Sequence, residues 1–218
     1  MKNSEAVSWT AAASPGNTEL LYGDVAMGLH AASQPLTVLR AGLCPKNVQA
    51  LTRAELLEFA ETCAEAVERT CLLFNLTREL VNTEGMDVEI HPYNLNVALQ
   101  EIEERCTRDF QESGLKLRCC FENAPAPVLG SRFLTSRALT IALHLIRSFL
   151  KRGDGAVLRG RGAGSSYEIV VEASSGLPGN SADTELHLAV MKSLLRKQQA
   201  TFTCAADPFR LRVQLKHA

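Results

Sequence analysis

Two long segments with helical spacing of apolar residues constrain this chain more than anything else in it. In the first, over residues 18–43, Leu21, Val25, Gly28, Ala32, Leu36, Leu39 and Leu43 recur at intervals of three and four. That is a seam of coiled-coil type. Cys44, Pro45, Lys46 and Asn47 then break the helix. In the second, over residues 52–82, Thr52 is the N-cap and Glu55, three residues on, completes a capping box. Its seam is Leu56, Ala60, Cys63, Val67, Cys71, Phe74 and Val81, and a second stripe of Leu72, Leu73, Leu76 and Leu80 opens on another face. A two-helix hairpin with this much apolar surface cannot bury it alone. Pairing with a second copy as a four-helix bundle is the simplest solution.

Beyond residue 85 the period changes. Residues 86–90 alternate like a strand, and 95–110 are helical. Strands are expected at 115–121 and 127–129, and a long helix at 131–151. Residues 156–161 and 167–172 read as a hairpin turning through 162–165. A helix at 184–197 and a last hairpin, 201–204 with 209–216, complete the pattern. Strand, helix, two strands, helix, two strands, helix, two strands describes an α/β sandwich with a mixed sheet and helices on one face. The chain therefore divides into a loose tail at 1–17, a helical hairpin at 18–84 and an α/β domain at 85–218. Within the tail, Trp9 is the one residue able to anchor to something.

Composition excludes several classes. The 218 residues are 46% hydrophobic and 22% charged, enough for a core without disulfides or metal staples. Disorder is excluded for most of the chain. The best apolar stretch, 138–150, is interrupted by Thr140, His144, Arg147 and Ser148, so no transmembrane helix is expected. No basic start followed by an apolar run is seen, so no signal peptide is expected. A net charge of −1 argues against a nucleic-acid binder that works by bulk electrostatics, and Arg159 with Arg161 make only a small basic cluster. The 7 cysteines form no C-x-x-C and no zinc spacing. They read as reduced, mostly buried thiols of a cytoplasmic protein.

The densest local signal is Leu29-His30-Ala31-Ala32-Ser33-Gln34-Pro35-Leu36-Thr37. Pro35 has no N–H for the carbonyl of Ala31, so the helix is disturbed just after His30. At about 100° per residue, His30 lies about 160° from the centre of the seam, on the solvent side. An exposed histidine that is neutral near pH 7 has a nucleophilic ring nitrogen. Read from periodicity alone, a plain surface histidine beside a tolerated kink is the favoured reading.

This segment resembles the phosphoacceptor box of sensor histidine kinases, with His30, Gln34, Pro35, Leu36 and Thr37 in matching places. The family's acidic residue after the histidine is Ala31 here, and its arginine is Ser33. The resemblance implies that Gln34 stands where the family positions water for dephosphorylating a partner. The order of elements after residue 85 is similar to the family's ATP-binding domain of Bergerat type. Val88-Glu89-Ile90-His91-Pro92-Tyr93-Asn94-Leu95 and Pro127-Val128-Leu129-Gly130-Ser131 resemble its opening strand and the turn before its second helix.

The family's nucleotide motifs have been replaced. Ile141 and Leu145 fall where its magnesium-binding asparagines would be. The first glycine box reads Glu172-Ala173-Ser174-Ser175-Gly176 and the second Glu185-Leu186-His187-Leu188-Ala189. The stretch 178–184 is too short for the family's lid. His144 reads as a half-buried helix histidine and His187 as a surface one.

The expectation is a histidine phosphotransferase of α+β architecture, relaying phosphate between receiver domains of response regulators through His30. It would act as a cytoplasmic homodimer with a degenerate ATPase domain, no cofactor of its own, no nucleic acid and no membrane contact. The resemblance implies that Mg²⁺ enters only with a partner receiver. His30 and Gln34 are the catalytic candidates, and Leu29, Ser33, Thr37, Arg40 and Leu57 the receiver contacts. The alternative is a non-catalytic pseudokinase that docks receivers or kinases as a scaffold.

Overall fold

The computed structural model describes residues 17–43, 51–122, 127–176, 181–206 and 208–218. The tail before residue 17, the break at Cys44-Pro45-Lys46-Asn47 and the segment 177–180 lie outside them. Helices α1 (Asn17–Gly42) and α2 (Arg53–Gly85) form the hairpin. The capping box is present: the Glu55 N–H donates to Thr52 Oγ1 at 3.4 Å, and the Thr52 N–H donates to Glu55 Oε2 at 2.7 Å. α1 runs on through Pro35, which is buried.

The seam of α1 is in part the one expected: Gly28, Ala32 and Leu39 are buried, and Leu21 and Val25 pack partly buried against the core. Ala31 and Pro35 are buried as well. Gly28, Ala31 and Ala32 are small, which allows close approach of α2 and of a helix from the second domain. Leu36 and Leu43 are exposed, and with Tyr22 and Leu29 they form an uncovered stripe at intervals of seven. In α2 the buried stripe is Leu73, Leu76, Thr77 and Leu80. Leu56, Val67, Phe74 and Val81 stand exposed on another face. The surface that the hairpin cannot bury alone is thus real, and it is left open within one chain.

The second domain follows as β1 (His91–Tyr93), α3 (Leu95–Glu112), β2 (Lys116–Phe121), β3 (Val128–Gly130), α4 (Arg132–Phe149), β4 (Gly155–Ala163), β5 (Ser166–Ala173), α5 (Ala182–Lys197), β6 (Thr201–Ala206) and β7 (Phe209–Lys216). The order matches the sequence pattern, with one correction. Residues 86–90 form no strand; β1 begins at His91, where a partner, β3, is available. Five strands form a mixed sheet in the order β2-β4-β5-β7-β6, with β2 parallel to β4 and the other pairs antiparallel. Alternation assigns Leu158, Ile169, Val171, Leu211 and Val213 to a buried face beneath the helices. Burial of that face is the main stabilising contribution, at about 25 cal/mol per Å² of apolar surface. Arg159, Glu172, Arg210 and Arg212 occupy the opposite face, exposed or half-exposed.

The two parts of the chain are bound together. α5 packs on both α1 and α2. Glu79 of α2 accepts from Arg137 of α4 at 2.6 and 2.5 Å. Arg69 pairs with Asp183 at 2.5 Å, and Ser193 donates to Glu84 Oε1 at 2.7 Å. Lys197 donates to the carbonyls of Glu84 and Met86 at 2.8 and 3.2 Å.

Among the described residues no helix is long and apolar enough to cross a membrane, and no metal-binding cluster occurs. Six cysteines are free thiols. The expectation that most are buried needs correcting: Cys106 is buried, Cys63, Cys119 and Cys204 are half-buried, and Cys71 and Cys120 are exposed. Cys44 lies outside the described residues. Burial pushes the Cys106 and Cys204 thiols up to about 11, and Cys119 up to about 12.

Candidate functional site

Helix α1 positions His30. Gly28, Ala31, Ala32 and Pro35 point inward, so His30 is turned outward, and it is exposed. Gly28 is the closest point of the packing. A Cβ there would stand 2.3 Å from Thr77 Oγ1 of α2 and 3.2 Å from Leu186 Cδ1 of α5. Three helices therefore meet one half-turn from His30 and hold its backbone.

Around the ring, Gln34 follows one turn on. Its amide nitrogen lies 3.2 Å from His30 Nε2. With the amide placed nitrogen-first, its N–H donates and Nε2 accepts, the arrangement of the tautomer that carries its proton on Nδ1. Nε2 thereby keeps the lone pair that a nucleophile needs. The Ser33 hydroxyl donates to the carbonyl of His30 at 2.7 Å, and Thr37 donates to the carbonyl of Ser33 at 3.0 Å. These bonds bring side-chain donors to carbonyls in the turn that Pro35 disturbs.

His30, Ser33, Gln34 and Thr37 share one exposed face, with Arg40 at its edge. Leu29 is exposed too, but it lines up with Leu36 and Leu43 rather than with the His30 row. Leu57 is exposed near the start of α2. Ala31, in the family's acidic position, is buried, so a carboxylate there would have to be desolvated.

The positions aligned with the nucleotide site lie differently from expectation. Ile141 and Leu145 are buried in the core rather than lining an open surface. Ser136, Arg137, His144, Arg147 and Phe149 are the half-exposed residues of α4. The N-terminal half of α4 borders a groove of about 430 Å³, shared with α3, which Arg105, Arg132 and Arg137 line. Arg132 is paired with Glu101 and Arg137 with Glu79. Three guanidiniums repel a divalent cation, so this donor set does not suit Mg²⁺.

Glu172 faces out of the sheet, 2.6 Å from Arg210 and 3.7 Å from Arg159. Glu185 is exposed in the first turn of α5. His187, expected at the surface, is buried, and its Nδ1–H donates to the carbonyl of Asp183 at 2.7 Å. Burial holds its pKa below the ordinary histidine value. His144 is half-buried as expected, 3.4 Å from Asp109.

No family model and no curated protein matches the sequence. Solved structures do match. The Acinetobacter baumannii histidine kinase AdeS aligns over 86% of this chain and 98% of its own, with TM-score 0.65 and 13% identity. Histidine kinase ThkA, solved in complex with the response regulator protein TrrA, aligns over 92% of this chain and 63% of its own, with TM-score 0.72 and 12% identity. Full-length ShkA, solved in complex with AMPPNP, aligns over 92% of this chain and 46% of its own, at TM-score 0.58 and 11% identity. At this identity the likeness is one of fold. The fold is that of a histidine kinase core, a helical hairpin followed by an ATPase-like α/β domain.

Proposed function

We propose that this chain is a histidine phosphotransferase, relaying phosphoryl groups between receiver domains of response regulators through His30, without using ATP. One observation carries the reading: His30 is exposed on the hairpin of a kinase-like fold, and the Gln34 amide at 3.2 Å leaves its Nε2 as the basic nitrogen. The chemistry asked of the chain is small. Nε2 attacks the phosphorus of an aspartyl phosphate on one receiver. The P–N bond forms as the P–O bond to the aspartate breaks, and the carboxylate leaves. A carboxylate of a second receiver reverses the step. The Nδ1 proton stays on the ring throughout.

Receivers would lie over Ser33, Gln34, Thr37 and Arg40, with Leu29 and Leu57 at the rim. ThkA was solved with a response regulator, which lends support to such docking on this fold. Omission of ATP rests on Glu172 and Glu185, on the missing glycines, and on Arg137 being held by Glu79. The arginine-lined groove beside α4 does not suit Mg²⁺, which would belong to the receiver. A homodimer would cover Tyr22, Leu36 and Leu43 together with Val67, Phe74 and Val81. Phe74→Glu is then expected to give monomers by light scattering, and an unchanged dimer mass would count against it.

The test is phosphotransfer from labelled phospho-receivers, run beside labelled ATP and His30→Ala. Acid-labile label from receivers alone, absent from His30→Ala, is the expected result. A second reading, a non-catalytic scaffold, is favoured by Ala31: the box has lost its carboxylate, and the position is buried. Stable receiver binding without label would select it. Label from ATP would overturn both.

A further inference from the structure

The sequence showed Arg159 and Arg161 as a small isolated cluster, but the fold enlarges it. Lys116 and Arg118 of β2, Arg159 and Arg161 of β4, and Arg210, Arg212 and Lys216 of β7 all project from the outward face of the sheet, and all seven are exposed. The only carboxylates of these strands on that face are Glu168 and Glu172 of the central strand, β5. Glu168 is nearly buried between Arg161 at 2.7 Å and Arg212 at 3.0 Å. Glu172 lies between Arg210 at 2.6 Å and Arg159 at 3.7 Å. Glu122, one residue beyond β2 and continuing its outward row, accepts from the Gly162 N–H at 3.3 Å. With it the face carries a net charge of +4, in a chain whose net charge is −1. The remainder of the chain is left at −5.

This arrangement is more than a ladder of cross-strand pairs. Four guanidiniums flank β5 and pair with two carboxylates, and a guanidinium has five N–H groups, more than one such pair engages. Val170 sits between Arg159 and Arg212 in the register, and Val157 is its half-buried neighbour on β4. Strands about 4.8 Å apart and rows about 6.8 Å apart make the patch, four strands wide and five rows long, about 14 Å by 27 Å. That is the scale of a small, transient protein interface.

We infer that this sheet face docks a carboxylate-rich segment of a partner protein, with a small apolar side chain of the partner over Val170. Three features favour protein over other polyanions. Arginine occupies the centre and lysine only the rim, the composition of protein interfaces. Glu168 and Glu172 in the middle would repel a continuous phosphate array, whether a duplex or a lipid surface. No aromatic ring stands on the face to stack on bases or enter a bilayer. The negative remainder of the chain adds repulsion for an extended polyanion, but little for a local one within the Debye length. This inference is independent of His30, which lies on the hairpin at the other side of the helical layer.

The test is fluorescence anisotropy of the full chain with a labelled peptide of alternating Glu and Val. A Lys-Val peptide, a short DNA duplex and phosphatidylserine vesicles serve as the comparisons. The Glu-Val peptide is expected to bind, with affinity falling as salt rises. Arg118→Glu with Lys216→Glu, at exposed positions that make no ion pair among the described residues, should weaken it about tenfold or more and leave the circular dichroism unchanged. Arg212→Gln should weaken it as well. Absence of peptide binding, binding unaffected by the double substitution in a folded chain, or tighter binding of duplex or vesicles through the same residues would each overturn the assignment.

Discussion

Glu79 and Arg137 join the two halves of the chain through both carboxylate oxygens, Nε at 2.6 Å and a terminal nitrogen at 2.5 Å. The carboxylate is the more buried partner and raises the guanidinium pKa through its hydrogen bonds. Two parallel bonds fix orientation as well as distance. The pair thereby sets the angle at which the second domain meets the hairpin.

Arg137→Met removes both bonds and leaves Glu79 half-buried without its cation. A loss of about 1–2 kcal/mol is expected for a partly exposed pair of good geometry. Denaturant unfolding would measure it, and proteolysis between the two parts should quicken. Unchanged stability and proteolysis would mean that apolar packing of α5 alone holds the domains.

Gly28→Ala should cost about 1–3 kcal/mol, because its methyl would overlap Thr77 Oγ1, 2.3 Å away. Thr77 is itself anchored, donating to the carbonyl of Leu73 at 2.8 Å. The combination of Gly28→Ala with Thr77→Ala should recover most of the loss. Failure of the second change to compensate would place the strain elsewhere, at Leu186.

Gln34→Ala should prolong the life of any phosphohistidine by about tenfold, the effect of one lost positioning hydrogen bond of about 1.4 kcal/mol. The same change should shift the ring tautomer of His30 in nitrogen NMR. A lifetime that stays the same would remove Gln34 from the chemistry.

Stability should fall in mild acid. Burial holds His187 below its ordinary value of 6.5, and burial with Arg147 does the same to His144, against the opposing Asp109. As pH falls, the unfolded chain takes up these protons first. The contribution is complete above about 6.5 and is lost as pH drops through the folded values. His187→Gln, which can still donate to Asp183, should flatten the pH dependence of unfolding. An unaltered slope would leave His144 or the carboxylates responsible.

Some of this was open to reading in the residues and some was not. Thr52 and Glu55 are three apart, and their cap is a local interaction, so spacing sufficed. The outward direction of His30 followed from helical geometry. The alternation at 86–90 was present but had no partner strand, and pairing is a tertiary property. The packing stripe of α1 was legible in part: Gly28, Ala32 and Leu39 belong to it, whereas Leu36 and Leu43 face outward and Ala31, whose methyl signals little hydrophobicity, takes a place in it. The places of Ile141 and Leu145 rested on resemblance alone, and which face of α4 is covered is set by the elements that pack on it. The basic sheet face was hidden because β4 and β7 are separated in sequence and joined only through β5.

The stripe of α2 that includes Leu73, Leu76 and Leu80 is covered in part by α5, and the sequence separation has a consequence for synthesis. The ribosome delivers α2 about a hundred residues before α5, or roughly 5–20 s earlier at ordinary elongation rates. For that interval the hairpin is made but its cover is not, so both the outer and the inner stripes face water. A nascent chain stalled before Ala182 should be cleaved readily within α2, whereas one stalled beyond the exit of Gln198 should be protected. Assembly between two copies on neighbouring ribosomes would then compete with closure of each chain upon itself.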